Sequence, residues 1–393
     1  MMILHIASEY PPLQVFGLGR AVCDLAVAQA AQGHDVHVVT NSIGGRDPDA
    51  VIDGVHVHRI TFPPPPKPPD DTMAVQQFNI SALETAARVA RERNPDVVHV
   101  HDWLTVLSGR MMKWLYPDAR LVCTIHDTAQ GKHFRQLTHP QQYSAHLERW
   151  IGQEADSIIC CSEHVRDEMV TDYGTPAEKI AIIPCGVSEG QFAVDGDLDS
   201  YRTLFAGPEQ KIIGYVGRLD KEKGLPTLLE AFANVHVALP ETRLVLVGKG
   251  VLQEQLHQQA LQLQVADAVH FAGYLSGNAL AGFYRCCDAL VVPSLYEPFG
   301  IVALEGMVNR APVIASDAGG LGEIVQHEQN GLQFPAGDAQ ALTQQLMRVL
   351  SDAAMARDIA GEGYRHALAH YGWGDIAART IDCYRPHERL AAE

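Results

Sequence analysis

The stretch that decides the fold is Pro-Ser-Leu-Tyr-Glu-Pro-Phe-Gly-Ile-Val-Ala-Leu-Glu, residues 293–305. An apolar run that is typical of a buried strand precedes it, and its second half predicts a helix that begins after Gly300. Glu297 lies at the strand end, and Glu305 lies inside the helix. The mouth of such a helix offers free backbone N–H groups and the positive end of the helix dipole, which suit a phosphate. Two carboxylates placed in this way could hold sugar hydroxyls, one on a transferable sugar and one on a ribose, or could be ordinary charged residues.

Short apolar runs alternate with longer amphipathic segments through both halves of the chain. Runs this apolar favour strands that are buried on both faces, as in parallel sheets covered by helices. The predicted strands cover residues 3–7, 36–40, 55–60, 97–101, 121–126, 157–161, 180–184, 212–216, 244–247, 269–272, 289–292 and 313–315. The predicted helices include residues 18–32, 75–93, 141–155, 225–238, 253–263, 339–350 and 374–390. The pattern predicts an α/β fold class with two doubly wound, Rossmann-like domains facing a central cleft, the default ligand site.

The break between the two domains is predicted near residues 186–208. This stretch holds four glycines and four acidic residues with little periodicity, as a linker would. We therefore expect an N-terminal domain over residues 1–190 and a C-terminal domain over residues 207–373. With 393 residues, the chain is long enough for two domains with full cores.

The composition excludes several classes of partner. The formal net charge of −17 argues against nucleic acid and against docking on anionic lipid. No apolar run approaches membrane-spanning length, so no stable membrane anchor is expected, and the N-terminus predicts a first strand rather than a signal peptide. The eight cysteines show no C-x-x-C and no zinc spacing, which is typical of buried thiols in a reducing compartment. We expect a cytoplasmic protein.

A second motif, Gly-Arg-Leu-Asp-Lys-Glu-Lys-Gly, follows the predicted strand 212–216. Arg218 and Lys223 lie on the loop between this strand and the next helix. A fork-shaped guanidinium and a point-like ammonium that converge on one site suit a diphosphate. The alternative is a solvated charged loop with no ligand.

Histidines and aspartates end two strands of the first half. His99, His101 and Asp102 end one strand, and His126 with Asp127 ends the next. Together they could form a metal cluster of a hydrolase, but further ligands at strand ends are missing, so no metal site is predicted. His99 is expected to be a structural histidine whose hydrogen bonds are satisfied.

Three further patterns carry less information. The G-x-G of Gly17 and Gly19 would let a backbone approach a ligand closely, but it lacks the third glycine of a dinucleotide fingerprint. The D-x-D of residues 47–49 lies in a glycine-rich loop and predicts a turn. The alternating aspartates of residues 195–199 lack the glycine and closing glutamate of a calcium loop, and residues 63–69 form a stiff proline-rich segment.

These elements together resemble the retaining glycosyltransferases of family four, which have the GT-B fold. The resemblance runs along almost the whole chain, and the combination of E-x7-E with Arg218 and Lys223 is its most specific part. The matching motifs are Glu9-Tyr10-Pro11-Pro12, Gly17-Leu18-Gly19, Val98 to Trp103, Ile183 to Val187, Val216-Gly217-Arg218, Lys223-Gly224, Glu297 to Glu305, Ala318-Gly319-Gly320 and Asn330-Gly331-Leu332.

The resemblance implies roles for the C-terminal residues. Arg218 and Lys223 would hold the donor diphosphate, and Glu305 would hold the ribose. Glu297 would hold hydroxyls of the donor sugar. The backbone N–H groups of Phe299, Gly300 and Ile301 would assist it.

The resemblance also implies roles in the N-terminal half, which would form the acceptor side. Gly19, with Gly17 beside it, would present its backbone to phosphate. His126 would lie near the transferred sugar, and Asp102 near the reacting hydroxyls. The terminal helix, within residues 374–393, would cross back onto the first domain.

The resemblance further implies transfer of a hexose from a nucleotide-sugar to a hydroxyl of a soluble sugar or glycan, with retained anomeric configuration. Glucose is the first candidate for the hexose. No cofactor or metal is expected, because two basic groups face the diphosphate. The chain departs from glycogen synthases, a neighbouring family, where they carry Lys-x-Gly-Gly-Leu and this sequence has Gln14 to Leu18. Long-glucan elongation is therefore not predicted. A sugar-nucleotide epimerase and a non-catalytic nucleotide-sugar sensor stay as alternatives, and the sequence indicates neither the donor base nor the oligomeric state.

Overall fold

The computed structural model describes residues 1–12, 17–42, 49–60, 71–192 and 197–385. Several sequence motifs therefore lie wholly or partly outside the described residues: Gln14 to Phe16, the start of the D-x-D triplet, the proline-rich segment 63–69, Asp195 and the end of the expected terminal helix. Two compact units make up the chain, Met1–Gly186 with Trp373–Glu393, and Val187–Gly372.

Within the described residues, strands and helices alternate along the chain. The strands are β1 (Met2–Ile6), β2 (Asp35–Asn41), β3 (Ala50–Ile52), β4 (Val55–Ile60), β5 (Val97–His101), β6 (Arg120–Ile125), β7 (Ser157–Cys160), β8 (Ile180–Ile182), β9 (Lys211–Val216), β10 (Thr242–Val247), β11 (Val269–Gly273), β12 (Ala289–Val292), β13 (Val313–Ser316) and β14 (Leu332–Phe334). The helices are α1 (Leu18–Ala31), α2 (Asp71–Ala90), α3 (Val106–Leu115), α4 (Ala129–Lys132), α5 (His139–Glu154), α6 (Glu163–Thr171), α7 (Leu198–Arg202), α8 (Leu225–Ala238), α9 (Gln253–Gln262), α10 (Gly277–Cys286), α11 (Ile301–Val308), α12 (Leu321–Ile324), α13 (Ala339–Ser351), α14 (Ala353–His370) and α15 (Trp373–Cys383).

Each unit is built around one sheet. In the described part of the first unit the strand order is β3-β4-β2-β1-β5-β6-β7-β8, and in the second it is β11-β10-β9-β12-β13-β14. All pairings are parallel except that of β3 with β4. The α/β fold class with parallel, helix-covered sheets is confirmed, and every predicted strand is present.

The sequence explains why these strands are central. Every residue of β1 and of β5 is buried, as is every residue of β12 and of β13, so helices cover both faces of each sheet. The predictions missed β3 and β14, which have three residues each. The turn before β4 is an Asp53-Gly54 pair with φ values of 50° and 82°, the hairpin signal that could have indicated β3.

From Val187 onward, the described residues of the segment predicted as a linker belong to the second unit. This segment contains α7, whose Tyr201 ring lies against Gly282 of α10 so closely that a Cβ on Gly282 would be 2.4 Å from the ring. Arg202 donates to the carbonyl of Cys286 at 2.9 Å and to Asp288 at 2.9 Å. The glycine and acid content predicted a linker here, and it did not indicate that α7 packs on α10.

The last described helix, α15, belongs to the first unit and packs against α1. Its first residue, Trp373, lies over Gly186, where a Cβ would be 2.4 Å from the indole ring. None of the described helices is both long and apolar enough to cross a lipid bilayer.

Candidate active site

The second unit places two loops against each other at the carboxyl ends of β9 and β12. Gly224 has φ 65°, and a Cβ there would be 1.9 Å from the carbonyl oxygen of Pro293. The carbonyl of Glu222 accepts hydrogen bonds from the backbone N–H groups of Leu295 and Tyr296, at 2.7 and 3.2 Å. Only glycine permits this approach, so the sequence Lys223-Gly224 brings the basic loop onto the loop that carries Glu297.

Lys223 and Glu297 form the centre of this arrangement. The Lys223 Nζ lies 2.9 Å from Glu297 Oε2, and both side chains are mostly buried. The Ser294 hydroxyl donates to the same oxygen at 2.9 Å. A carboxylate held by an ammonium and a hydroxyl keeps one fixed orientation, which is what recognition of a substrate hydroxyl requires.

Arg218 has different partners from those that the sequence suggested. Its guanidinium contacts Asp220 and Glu222, each with an N–O distance of 2.5 Å. The carbonyl of Arg218 accepts a hydrogen bond from the Tyr215 hydroxyl at 2.6 Å, which fixes the start of the loop. The charge of Arg218 is therefore compensated within the loop, and an anionic ligand must compete with two carboxylates for it.

The mouth of α11 follows the Glu297 loop. Gly300 precedes the helix with φ 110°, and no described side chain caps the first turn, which also contains no acid. The carbonyl of Glu297 accepts from Gly320 N at 2.9 Å, and Phe299 is buried. The predicted Phe299-Gly300-Ile301 segment therefore lies at an uncapped helix N-terminus, where an anion is favoured.

Glu305 lies one turn into α11. The hydroxyl of Tyr284, on α10, donates to Glu305 Oε2 at 2.6 Å. Burial, with Glu305 beside it, raises the pKa of Tyr284 well above its usual value, so the phenol remains a donor at all ordinary pH values. The hydrogen bond orients the Glu305 carboxylate. A carboxylate oxygen has two lone pairs, so Glu305 can also accept a hydrogen bond from a ligand hydroxyl.

In the first unit, the end of β6 carries His126. Its backbone N–H donates to Asp102 Oδ1 at 2.7 Å, and the N–H of Asp102 donates to Thr124 O at 2.9 Å. Asp102 has φ 55°, a strained conformation for a residue with a side chain, and it is buried. Burial, together with the neighbouring Asp127, raises the pKa of Asp102 well above its usual range. Asp102 therefore positions His126, and its expected place near the reacting hydroxyls stays a prediction.

A chain of buried hydrogen bonds leads from His126 into the core, and we name it the buried relay. His126 Nε2 lies 3.5 Å from His101 Nδ1, and His101 Nε2 lies 3.1 Å from His5 Nδ1. His5 Nε2 lies 2.8 Å from Gln29 Oε1, whose amide nitrogen donates to the Tyr384 hydroxyl at 2.9 Å. The relay thus connects the end of β6 to the residue that follows α15.

The buried relay continues to His99. The Tyr384 hydroxyl lies 2.6 Å from His99 Nδ1, and His99 Nε2 lies 2.7 Å from Thr124 Oγ1. His99 is therefore a structural histidine with both nitrogens engaged, as predicted. With the Gln29 amide as placed, each neutral histidine of the relay donates one hydrogen bond and accepts one.

Burial keeps the relay neutral. It lowers the pKa of His5 and of His126 to about 4, and burial together with neighbouring histidines lowers the pKa values of His99 and His101 well below the usual value. Nitrogen atoms of His5, His99 and His101 lie within 4.8 Å of one another. Because hydrogen bonds already engage these nitrogens, the arrangement favours the structural interpretation over a metal cluster at His5, His99 and His101.

A cavity of about 30 Å³ lies beside His126 in the first unit. It is large enough for a water-sized group and reaches His101 and Thr124 of the relay. Cys185 and Trp373 also line it. Most of its other lining residues are apolar, so the cavity leaves room for a small group beside His126.

The two predicted glycines lie at the start of α1 in the first unit. Gly17 precedes the helix with φ 51°, and a Cβ there would meet no atom within 4 Å. Gly19 is buried in the first turn. The preceding residues lie outside the described part of the chain, so a phosphate role for this loop stays a prediction.

The structure brings together Lys223 with Glu297, and His126 with Asp102. Sequence reasoning missed Ser294 and Tyr284, which fix the two glutamates, because a hydroxyl partner has no signature of its own. The spacing Ser294-x-x-Glu297 within the strand-end loop was the available signal.

Comparison with known proteins agrees with this geometry. Residues 15–191 match the family described as Glycosyltransferase Family 4, and residues 202–366 match Glycosyl transferases group 1. A glycogen synthase of Mycobacterium tuberculosis is 33% identical to the chain over 409 residues, covering 99% of this chain and 95% of the relative. The chain belongs to the GT-B glycosyltransferases of family four.

Solved structures of other glycosyltransferases support the same fold. Sucrose-phosphate synthase of Thermosynechococcus elongatus superposes with a TM-score of 0.84 at 27% identity and covers 98% of both chains. The Anabaena protein HepE, solved in complex with UDP-glucose, superposes with a TM-score of 0.76 at 21% identity, covering 97% of this chain and 99% of HepE. The GT-B prediction for this family-four glycosyltransferase is confirmed.

Proposed function

We propose that this glycosyltransferase moves a hexose, with glucose as the first candidate, from a nucleotide-sugar to a hydroxyl of a soluble sugar or glycan, with retention of the anomeric configuration. The observation that carries the proposal is the Lys223–Glu297 pair, with Ser294, before an uncapped helix mouth. The names of the related glycogen synthase and sucrose-phosphate synthase, and the UDP-glucose bound to HepE, support glucose.

The second unit would bind the donor. Arg218, Lys223 and the N–H groups at Phe299 to Ile301 would hold the diphosphate, and Glu305 would hold the ribose. Since Arg218 contacts two carboxylates, the doubly charged diphosphate would draw the guanidinium away from them. Glu297 would accept hydrogen bonds from hydroxyls of the donor sugar.

The reaction would follow front-face attack. The bond between the sugar C1 and the phosphate oxygen breaks, and the nucleoside diphosphate leaves with the electron pair. The acceptor oxygen bonds to C1 on the same face, and its proton passes to the departing phosphate oxygen. Lys223 and the α11 dipole stabilise the negative charge that develops on the leaving group.

His126 would bind the transferred sugar as a neutral imidazole. Asp102 would position it through the backbone hydrogen bond at 2.7 Å. Glu297 and Glu305 would hold hydroxyls rather than act as the nucleophile and acid of a hydrolase, whose two carboxylates flank the sugar about 5 Å apart.

The proposal includes no metal or cofactor in the reaction, because cationic side chains and a helix N-terminus face the leaving group. It also places the protein in the cytoplasm. All eight cysteines are free thiols in the structure, which fits a reducing compartment.

The decisive experiment incubates the protein with UDP-glucose, ADP-glucose and GDP-mannose, each with and without a panel of free sugars, sugar phosphates and glycogen. Released nucleoside diphosphate is measured with a coupled assay, and the anomeric configuration of the product by NMR. We expect release that depends on acceptor and a product with the donor's α configuration.

Other outcomes identify the alternatives. A change of the donor sugar without any acceptor would identify an epimerase. Binding of the nucleotide-sugar without turnover across the whole panel would identify a sensor. A product of inverted configuration would contradict the proposed retaining mechanism.

A further inference from the structure

A second group of histidines and carboxylates lies on the sheet of the first unit, on the neighbouring strands β2 and β4. His37 and His56 are register partners across the two strands, and their rings stack 4.7 Å apart. Asp35 precedes His37 by two residues, and His58 follows His56 by two, so all four side chains share one face. The proposed glycosyl transfer uses none of them.

The side chains of Asp35, His37 and His58 form a linear chain with Asp49, which we name the histidine chain. Asp49 Oδ2 lies 2.8 Å from His58 Nδ1, and His58 Nε2 lies 2.9 Å from His37 Nδ1. His37 Nε2 then lies 3.1 Å from Asp35 Oδ1. The chain therefore contains three contacts of hydrogen-bond length, with a carboxylate at each end.

The number of protons does not match the number of contacts. Each neutral imidazole supplies one N–H, and an ionised carboxylate supplies none. Arg93 lies 3.0 Å from Asp35 and Arg88 lies 3.3 Å from Asp49, so each carboxylate has a cationic partner. Two protons thus serve three contacts, and in every arrangement of neutral rings two lone pairs face each other. One more cation, a proton or a metal ion, resolves the mismatch.

The buried relay provides a contrast. Its three inner histidines are linked by Gln29 and Tyr384, groups that donate as well as accept, so its protons and contacts balance. The histidine chain lacks a proton because the carboxylates at its two ends accept hydrogen bonds and donate none.

His56 places a third nitrogen beside the contact between His37 and Asp35. His56 Nε2 lies 4.0 Å from the same Asp35 oxygen, and the ligand atoms of Asp35, His37 and His56 all lie within 4.8 Å of one another. In a tetrahedral zinc site with bonds of about 2.0–2.1 Å, ligand atoms are roughly 3.3 Å apart. The side chains are 35%, 15% and 45% exposed, so an ion can reach them from solvent.

We propose that Asp35, His37 and His56 bind one Zn²⁺ ion, with water as the fourth ligand, and that His58 and Asp49 orient His37. With the ion on His37 Nε2, the ring must carry its proton on Nδ1, and His58 Nε2 accepts that proton. His58 then donates to Asp49, and every contact is satisfied. Metal-bound histidines commonly donate their second nitrogen to such a partner.

The donor set selects the ion. Two imidazoles and one carboxylate suit zinc and other late first-row ions rather than Mg²⁺, which prefers oxygen ligands. The ion would link β2 to β4 near the edge of the sheet and raise the melting temperature of the protein, since it binds only the folded arrangement.

The test uses the full chain, stripped of metal, titrated with Zn²⁺ by calorimetry and with Mg²⁺ in parallel. We expect one Zn²⁺ site whose affinity falls at least tenfold in His56→Gln and in Asp35→Asn. His58→Gln should weaken binding by about 10- to 100-fold, because it removes an orienting partner and no ligand. His139→Gln, at an exposed histidine at the start of α5, is the matched control and should bind like the original protein.

His56 is about half-exposed, so its glutamine variant should fold, and circular dichroism without metal checks this. Zn²⁺ should raise the melting temperature of the original protein and of His139→Gln, but not of His56→Gln. Equal Zn²⁺ affinity in His56→Gln and the original protein would overturn the proposal, as would Zn²⁺ binding no tighter than Mg²⁺. Neither result depends on glycosyl transfer, so failure here leaves the proposed function intact.

Discussion

In the proposed donor site, the ammonium of Lys223 contacts Glu297, whereas the guanidinium of Arg218 contacts carboxylates of its own loop. Lys223→Ala should lower kcat by about 10²- to 10³-fold, the usual effect of removing one group that stabilises developing charge. The rate of nucleoside diphosphate release measures it. Lys221→Ala, an exposed lysine of the same turn, is the charge-matched control and should keep near-normal turnover. Near-normal turnover of Lys223→Ala itself would refute the phosphate role.

Glu305 tests the ribose assignment separately from the chemical step. Glu305→Ala removes the carboxylate that Tyr284 orients, so the nucleoside diphosphate should bind at least tenfold more weakly while kcat at saturating donor changes less. Calorimetry with the nucleoside diphosphate measures the first effect and steady-state kinetics the second. Tyr284→Phe, which keeps the carboxylate but removes its partner, should show a smaller loss of affinity. Unchanged affinity in Glu305→Ala would count against the ribose role.

At the scale of single residues, the sequence indicated Lys223 and Glu297, because charged residues after strand ends are conspicuous, and Glu305, because of its E-x7-E spacing from Glu297. It did not indicate the partners of Arg218, since two acids within four residues are ordinary in a charged loop. Nor did it indicate the buried relay. His5, Gln29 and Tyr384 are distant in sequence, and only the packing of α1 and α15 on the sheet brings them together.

At the scale of elements, the sequence indicated every described strand with a long apolar run, and of the described three-residue strands it indicated β8 but missed β3 and β14. A short strand such as β14 owes its conformation to its pairing with β13 rather than to its own pattern. The segment 186–208, predicted as a linker, contains the division between the two units at its start. Its pattern did not indicate α7, whose Tyr201 contributes an aromatic ring that packs on α10.

The junction between the basic loop and the Glu297 loop makes an element-scale prediction. Gly224→Ala should destabilise the protein by at least about 2 kcal/mol, because alanine is strained at φ 65° and its Cβ would collide with the Pro293 carbonyl. Turnover should fall with it, since the collision moves Lys223 away from Glu297. Thermal unfolding by circular dichroism measures the stability.

Gly361→Ala is the matched control for this substitution. Gly361 lies inside α14, and a Cβ there meets no atom within 4 Å, so alanine should leave turnover unchanged and add up to about 1 kcal/mol of stability. A Gly224→Ala variant as stable as the original protein would show that the two loops can separate without cost.

At the scale of the whole molecule, catalysis and metal binding should be separable. EDTA should leave turnover unchanged, because in the proposed mechanism Lys223 and the α11 mouth stabilise the leaving group without a metal. In protein loaded with Zn²⁺, EDTA should lower the melting temperature, because the proposed ion lies on β2 and β4. Turnover and melting temperature are measured on the same sample. Loss of turnover that added Mg²⁺ or Mn²⁺ restores would contradict metal-independent transfer.

The first unit should also determine how the whole molecule responds to acid. Histidines of the buried relay take up protons near pH 6.5 when unfolded, but His5 and His126 do so only near pH 4 when folded, because burial lowers their pKa. The unfolded state therefore binds more protons between these values, and the unfolding free energy should fall as pH drops from 6.5 toward 4. Each such histidine contributes up to about 1.4 kcal/mol per pH unit.

Glu148 should act in the opposite direction and supplies the control. Burial raises the pKa of Glu148 to about 8 from an ordinary value of 4.5, so its contribution to stability is lost as pH rises through 8. Urea unfolding followed by tryptophan fluorescence measures both effects, because all four tryptophans lie in the first unit.

Stability should peak near pH 6.5. Glu148→Gln should remove the fall in stability between pH 6.5 and 8 and steepen the fall between pH 6.5 and 4.5, because the glutamine cannot ionise in either state. Equal stability of Glu148→Gln at pH 5 and pH 7 would show that the relay histidines take up protons at the same pH in the folded and the unfolded protein.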